Sequence, residues 1–353
     1  MSFDELKSRV IDSGLCEGCG LCAGFCKAIT LENRVPVLSG TCTLSKGARY
    51  CGQCMDLCPQ AHPEHITVEM LRPLRAVALR STDQSLLESA SNGGFVTTLL
   101  GLLLEEGHIR AVTAVTGDTR NPVPVTVTSR EDIVRLSGTR YSPSGVLNEF
   151  AAGLRSHGRN VAVVGLPCEI RGVHRLERNL GISILKIGLF CSNNNRDTQD
   201  GKTEVMECCR HCTDFFNSNA DISCGFAGAP KGYTTVISRT SQGDELFTRA
   251  ISSGRFEVTD TDLSKVKAAQ SRKSSRVVVT ELKTLRDRIL QELAESGPVE
   301  IDDLSGRLDL QPSDIIYHLL VLWNAGQVRV IEDRENPYRV MWGPPGSGPG
   351  TQR

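Results

Sequence analysis

Cys16-x2-Cys19-x2-Cys22-x3-Cys26, followed by Cys42-x8-Cys51-x2-Cys54-x3-Cys58-Pro59, is the stretch that decides how this chain is read. It holds eight of the fourteen cysteines. A [4Fe–4S] cubane has four iron corners that point apart, so a tight loop supplies three thiolates and the fourth comes from elsewhere. In paired cluster loops the fourth cysteine of each run reaches the other cluster. The spacing therefore assigns Cys16, Cys19, Cys22 and Cys58 to one [4Fe–4S] cluster, and Cys42, Cys51, Cys54 and Cys26 to a second. The eight-residue gap after Cys42 departs from the compact form of the motif. Zinc would use isolated C-x2-C pairs and leave the three-cysteine rhythm unexplained. Disulfides would need export, and Met1 to Val10 lacks the basic start and apolar core of a signal peptide.

Composition agrees with a redox protein in a reducing compartment. The 353 residues allow two or three domains, and 23% charged with 39% hydrophobic residues is ordinary for a globular chain. A net charge of −1 gives no electrostatic case for nucleic acid or a membrane surface. The longest apolar run, Phe95 to Leu104, contains Thr97, Thr98 and Gly101 and is too short to span a bilayer. Fourteen cysteines without a leader point to metal ligation in the cytoplasm.

Downstream, Val68 to Arg80 is expected to enter a second domain as a strand. Ser91-Asn92-Gly93-Gly94 then leads into an apolar helix from Phe95 that stops at Gly107, and its N-terminus is bare enough for a phosphate. Close helix–sheet packing explains a Gly-Gly turn equally well. Ala111 to Thr116 reads as a buried strand, which implies a parallel component in the sheet. Gly138-Thr139-Arg140-Tyr141-Ser142 is a second polar turn, with a helix from Ser144 to His157 behind it. Strands Asn160 to Cys168, through Gly165 and Pro167, and Ile182 to Phe190 carry Cys168 and Cys191 just past their carboxyl ends, where ligands collect in open α/β sheets. Cys208-Cys209-x2-Cys212 completes a third set: Cys168, Cys191, Cys209 and Cys212, with Cys209 preferred over Cys208 because the x2 spacing suits a cluster loop. Cys224 reads as structural.

Several motifs fall together in order: Ser-Asn-Gly-Gly-Phe-Val-Thr-Thr-Leu-Leu (91 to 100), Gly-Thr-Arg-Tyr (138 to 141), Val-Val-Gly-Leu-Pro-Cys-Glu-Ile (163 to 170) and Gly-Leu-Phe-Cys (188 to 191). Cys-Arg-His-Cys-Thr-Asp-Phe (209 to 215), Ala-Asp-Ile (220 to 222) and Gly-Ala-Pro-Lys-Gly-Tyr-Thr-Thr-Val-Ile (228 to 237) follow. Over residues 10 to 250 the chain resembles the family of beta subunits of coenzyme F420-reducing hydrogenase and F420H2 dehydrogenase. That family includes formate dehydrogenase beta subunits, F420-dependent sulfite reductases and 7-hydroxymethyl chlorophyll a reductase. The resemblance implies FAD in the α/β domain, a [4Fe–4S] cluster beside it held by Cys168, Cys191, Cys209 and Cys212, and coenzyme F420 as hydride partner. It implies that Ser91, Asn92, Gly93, Gly94 and Thr97 run along the FAD phosphates, and that Gly138, Arg140 and Tyr141 flank the same cofactor, with Gly165 and Pro167 at the neighbouring turn. Family members often carry lysine where Arg140 stands. A redox partner protein, or other subunits of a hydrogenase, dehydrogenase or reductase complex, is the implied partner. The competing functions are a ferredoxin-dependent reductase of an organic substrate and, from another class, a redox-sensing regulator.

The C-terminal part is read separately. Ala250 to Val279 is polar and ends in Ser271-Arg-Lys-Ser-Ser-Arg276, as a solvated linker would. Helices starting at Lys283, over Ile301 to Leu308 and over Pro312 to Ala325, then a two-stranded wing (Gln327 to Val330, Tyr338 to Trp342), resemble a winged-helix domain. Seven basic residues against eleven acidic ones between 283 and 342 give −4, the wrong sign for phosphate binding. Docking on a partner protein is the expected role. The expected architecture is thus an α+β / α/β multidomain chain: a ferredoxin-like 2[4Fe–4S] module (1–66), a mixed α/β flavin-binding domain with a further cluster (67–250), a linker (251–282), a small winged-helix domain (283–342) and a disordered tail (343–353).

Overall fold

The computed structural model describes residues 3–42, 51–140, 142–197, 202–276, 285–308, 310–332 and 340–345. Tyr141, the wing tip at 333–339 and most of the expected tail lie outside the described residues. Helix α1 (Phe3–Leu6) runs on into a π-helical turn at Lys7–Ile11. Phe3, Leu6, Val10 and Leu15 are buried together with Cys22, Ile29, Met55 and Ala61. The two cysteine runs then build one local device twice. In each, a left-handed glycine (Gly20, φ 81°; Gly52, φ 64°) precedes a five-residue helix, α2 (Leu21–Phe25) or α3 (Gln53–Leu57). Cys22 and Cys54 lie within these helices, and Cys26 and Cys58 are their C-caps. Between them β1 (Ile29–Glu32) and β2 (Val35–Leu38) form a hairpin whose two turn residues, Asn33 and Arg34, both have positive φ, as a tight two-residue turn requires.

A mixed eight-stranded sheet forms the body. Its first strands are β3 (Arg75–Ser81), β4 (Ala111–Gly117), β5 (Pro122–Val127), β6 (Val161–Gly165) and β7 (Leu185–Leu189). A separate small hairpin, β8 (Asn195–Asp197) with β9 (Thr203–Val205), comes next, and the sheet resumes with β10 (Ile222–Gly225), β11 (Thr234–Ser238) and β12 (Phe256–Thr259). The order is β12-β3-β11-β10-β7-β6-β4-β5, with β4, β6, β7 and β10 parallel and the flanking strands antiparallel. The expected strand over Val68 to Arg80 begins later, at Arg75, after a single 3-10 turn. The helices of the body are α4 (Gln84–Ser89), α5 (Phe95–Glu105), α6 (Arg130–Ile133), α7 (Val146–His157), α8 (Pro167–Leu180), α9 (Glu207–His211), α10 (Ser241–Ser252) and α11 (Leu263–Ser274).

Both faces of the parallel core are covered, as its near-continuous apolar strands demand. Val112, Ala114, Ala162 and Val164 pack with Leu99, Leu103 and Phe247 of α5 and α10. Their neighbours Ala111, Val161 and Val163 pack on the opposite face with Phe150 and Ile170 of α7 and α8, and with Leu21 and Leu57 of the cysteine module. The module is therefore built into the core of the body. Gly24 fits this contact because an added Cβ would stand 2.6 Å from the Ala151 Cβ.

Residues 251–276 correct the expectation of a linker. They close α10, add β12 to the sheet beside β3, and form α11. Val266 is fully buried with Phe215 and Phe216, and the polar side chains Gln270 and Lys273 are buried too. The composition is polar because those buried residues tie down backbone carbonyls, as set out below.

The C-terminal part comprises α12 (Leu285–Ser296), β13 (Val299–Glu300), α13 (Ile301–Leu308), α14 (Pro312–Asn324), β14 (Arg329–Glu332) and β15 (Val340–Gly343). Its core is Ile289, Leu293, Leu304, Leu308, Ile315, Leu319 and Trp342. The expected pair of strands is a three-stranded sheet in the order β13-β15-β14, because Val299 and Glu300 pair with Trp342 and Met341. This part rests on the cysteine module: Arg286 pairs with Asp56 at 3.0 Å, both side chains nearly fully buried, and His62 Nδ1 lies 3.5 Å from Asp287.

Two buried histidines at this contact make it acid-sensitive. Burial holds the His318 imidazole down to about 3 and pushes His62 the same way. An unfolded histidine binds its proton near 6.5, so between about 6.5 and 3 the unfolded chain takes up protons that the folded one does not. Stability is full above 6.5 and falls on acidification, by up to about 1.4 kcal/mol per pH unit for each histidine. Denaturant titrations at pH 7 and pH 5 are expected to show a smaller loss for His62→Gln/His318→Gln than for the wild type.

Candidate functional site

Desolvation dominates the N-terminal thiols. Burial pushes Cys16 up to about 12, and Cys58 adds to it; burial likewise raises Cys22, with Cys58 and Cys16 as the next causes. Cys19 is raised by burial, then by Glu17 and Cys22. Cys54 is pushed up to about 12 by burial, then by Cys51 and Cys26. The electrostatic neighbours thus fall into Cys16, Cys19, Cys22 and Cys58 on one side, and Cys26, Cys51 and Cys54 on the other. Cys42 is half-buried and stands at the edge of a stretch outside the described residues. Backbone N–H groups of Gly18, Leu21, Ala23, Met55, Gln60 and Ala61 donate to these sulfurs and favour the thiolate.

The third set is assembled by the carboxyl ends of the parallel strands. Pro167 starts α8 with its fixed φ, so Cys168 lies in the first turn of a fourteen-residue helix, where an anion is favoured. Gly165 lies at the end of β6, and its carbonyl accepts from Asn217 Nδ2. Cys191 follows β7, its N–H donating to Phe215 O at 2.9 Å. Burial raises both thiols, Cys191 to about 12; Cys212 and Cys191 raise Cys168 further, while Cys209 and Cys212 act on Cys191. Cys208 and Cys209 follow Glu207 in the first turn of α9, and both are buried. The Asn194 N–H donates to Cys209 Sγ at 3.2 Å. Cys208 donates to Cys209, which pulls the Cys209 pKa below the ordinary thiol range and drives Cys208 far above it. Cys209 is thus the more readily ionised of the pair.

Two charged residues outside the expected set stand between the first and third groups. Glu17 is buried, within hydrogen-bonding reach of Cys168 and Cys19, and Arg171 faces it. Among the described residues, Glu17 Oε1 and Arg171 Nε find no hydrogen-bond partner. Those orphaned atoms, the crowded desolvated thiols and the N–H groups aimed at sulfur fit a resident iron–sulfur group in each set. Among the described residues no cluster of His, Cys, Asp or Glu converges as a single metal ion would require; cubane ligands stand farther apart. Sequence reading passed over Glu17, Arg171 and the α11 residues, although Arg171 adjoins the Cys168-Glu-Ile motif.

The two polar turns also meet. Thr139 Oγ1 donates to Ser91 Oγ at 2.7 Å, bringing residues 91–94 beside 138–140. Gly94 (φ 66°) precedes α5 with no side-chain cap, leaving its first N–H groups open, and Asn92 is exposed beside it. Gly93 is explained by packing: a Cβ there would stand 2.3 Å from Leu79 O. Gly138 takes φ 91°, and Arg140 commits Nε to Gly117 O and Nη1 to the Leu136 and Gly138 carbonyls. Thr97 lines a cavity of ≈ 340 Å³ together with Ser81, Thr98, Arg130 and Arg255.

Comparison with known proteins agrees with this architecture. Residues 76–149 match the N-terminal part, and residues 197–264 the C-terminal part, of the family described as coenzyme F420 hydrogenase/dehydrogenase, beta subunit. The chain is 30% identical over 232 residues to the beta subunit of coenzyme F420 hydrogenase from Methanosarcina barkeri, 51% of this chain and 80% of that protein. It is 26% identical over 293 residues to the F subunit of F(420)H(2) dehydrogenase from Methanosarcina mazei, 68% of this chain and 83% of that one. It is 28% identical over 296 residues to coenzyme F420-dependent sulfite reductase of Methanocaldococcus jannaschii, 68% of this chain but only 46% of that protein's length. A chain of the F420-reducing [NiFe] hydrogenase complex of Methanosarcina barkeri superposes with a TM-score of 0.51 at 25% identity, covering 67% of this chain and 95% of that one. These relatives are components of oxidoreductases. The chain belongs to the family of coenzyme F420 hydrogenase/dehydrogenase beta subunits.

The cysteine pair at the start of α9 gives a direct test. Cys209→Ser is expected to lose about four irons per chain, one cubane, whereas Cys208→Ser keeps the wild-type iron content. Iron assay of both purified variants decides which sulfur is the ligand.

Proposed function

We propose that this chain is an electron-transfer subunit that joins coenzyme F420, a two-electron hydride carrier, to one-electron centres and through them to a partner redox protein. The single observation that carries this is the contiguity of the three thiol sets: Cys54 senses Cys58 across the first two, and Glu17 touches both Cys19 and Cys168 across the first and third. FAD, when bound, supplies the exchange between two-electron and one-electron chemistry that neither F420 nor a cubane provides alone.

The chain's own residues would do the following. Cys168, Cys191, Cys209 and Cys212 hold a [4Fe–4S] cluster at the sheet edge; Cys16, Cys19, Cys22 and Cys58 hold the next; Cys26, Cys42, Cys51 and Cys54 hold the outermost. The open N–H groups at the start of α5, with Ser91 and Thr97, receive flavin phosphates. The remaining expected FAD contacts are Asn92, Gly93, Gly94, Gly138, Arg140, Tyr141, Gly165 and Pro167; of these Gly93 and Arg140 act mainly by shaping their turns. The backbone N–H groups on the sulfurs stabilise the more negative cluster states.

The C-terminal part we read as a winged-helix-like unit used for protein docking. Its sequence charge of −4 over 283–342 opposes nucleic-acid binding, while α14 exposes Ile316, Leu320 and Trp323 on one stripe. Among the described residues no helix is long and apolar enough to cross a membrane. Thiolate ligation on this scale suits a reducing compartment, and we place the work in the cytoplasm.

Anaerobic addition of F420H2 to the reconstituted full chain is expected to bleach the flavin and iron–sulfur bands together. Full flavin and iron loading with no bleaching would overturn the F420-linked function in favour of a ferredoxin-dependent reductase.

A further inference from the structure

The end of helix α11 and the residues just beyond it carry two cations to the third thiol set, and nothing in the family motifs points to them. Lys273 is 3% exposed, and its ammonium donates to Cys191 O and to Asp214 O, each at 2.8 Å. One turn on, Arg276 Nη1 donates to Cys209 O, and to Cys212 O and Ser192 O at 3.4 Å. Three of the four cysteines of the set therefore have their backbone held by Lys273 and Arg276, at the end of α11 and just past it. Gln270 completes the same face: its amide donates to Ile66 O and Thr213 O, and its carbonyl accepts from Phe215 N.

Carbonyl contacts alone do not account for a buried ammonium, which is costly to bury without a counter-charge. Among the described residues no carboxylate lies within ion-pair distance of Lys273. Asp214 faces it, but the Asp214 carboxylate is engaged by Asn217 N, Ser218 N and Ser218 Oγ at 2.8 Å. The other anionic groups facing the ammonium are Cys212, Cys191 and Cys209, in that order of strength and ahead of Asp214. A lysine in this position is matched to thiolates. A fixed positive charge beside a cluster favours its reduced, more negative state and so raises its reduction potential.

We propose that Lys273, seconded by Arg276, is a positioning residue that sets the reduction potential of the Cys168/Cys191/Cys209/Cys212 centre relative to the two N-terminal centres. The direction of easiest electron flow then follows from α11, the segment whose composition looks like a linker. The inference rests on the third cluster of the proposed function.

The test is a potentiometric titration followed by EPR on the full reconstituted chain, comparing wild type, Lys273→Gln, Lys273→Arg and Arg276→Gln. The signal missing in Cys191→Ala identifies the third centre. Lys273→Gln is expected to keep its iron and shift the one-electron equilibrium of that centre at least tenfold toward the oxidised form, about 59 mV. Lys273→Arg is expected to restore the wild-type value, and the other two centres are expected not to move. Intact iron with an unmoved potential overturns the proposal. If Lys273→Gln sheds about four irons, the decision passes to Arg276→Gln, where an unmoved potential overturns it equally. A wild-type chain that binds only about eight irons overturns the third centre itself, and the proposal with it.

Discussion

Twelve thiols in three groups, most of them desolvated and facing one another, are the constraint on which the structure depends. Left as thiols they are weakly partnered groups in the interior; ionised without metal they repel. Burial drives Cys16, Cys54 and Cys191 each to about 12, so at neutral pH the free chain holds them protonated. A metal centre reverses that preference, because thiolate is the ligating form. Much of the surrounding architecture makes sense as preparation for that reversal: left-handed glycines that turn backbone N–H groups toward sulfur, Cys168 in the first turn of α8, and a lysine at the end of α11 with an arginine just beyond it.

The body serves the same end. Parallel strands β6 and β7 end side by side and deliver Cys168 and Cys191 to one edge. The N-terminal module does not hang from this body but shares its core, through Leu21 and Leu57 against α7 and α8. That shared core fixes Cys19 near Cys168 with Glu17 between them. The proposed electron path needs rigid spacing between its centres, and close packing that tolerates little change in volume would supply it. At the far side, the C-terminal unit sits on the second cysteine loop through the buried Arg286–Asp56 pair.

Cysteine spacing made the N-terminal groups legible, since three thiolates at x2 and x3 intervals leave few alternatives. Strand periodicity located β4, β6 and β7, and their ends foretold Cys168 and Cys191. Packing of the module into the body was not legible, because Gly24 of α2 and Gly172 of α8 show their purpose only when α2 is brought against α7 and α8. Residues 256–274 were misread because a four-residue strand, Phe-Glu-Val-Thr, and a helix rich in Lys and Ser carry little apolar signal; Gln270 and Lys273 are buried by hydrogen bonds that composition does not reveal. Gly93 illustrates an open pair of explanations resolved by geometry, since the carbonyl of Leu79 leaves no room for a Cβ. The Arg140 guanidinium, expected at a cofactor, is in large part a brace for its own turn.

The most direct measurement is the metal and acid-labile sulfide content of the anaerobically reconstituted chain. Three cubanes require about twelve irons and about twelve sulfides per chain. Zinc in place of iron, or iron without labile sulfide, would contradict the assignment of the three cysteine groups.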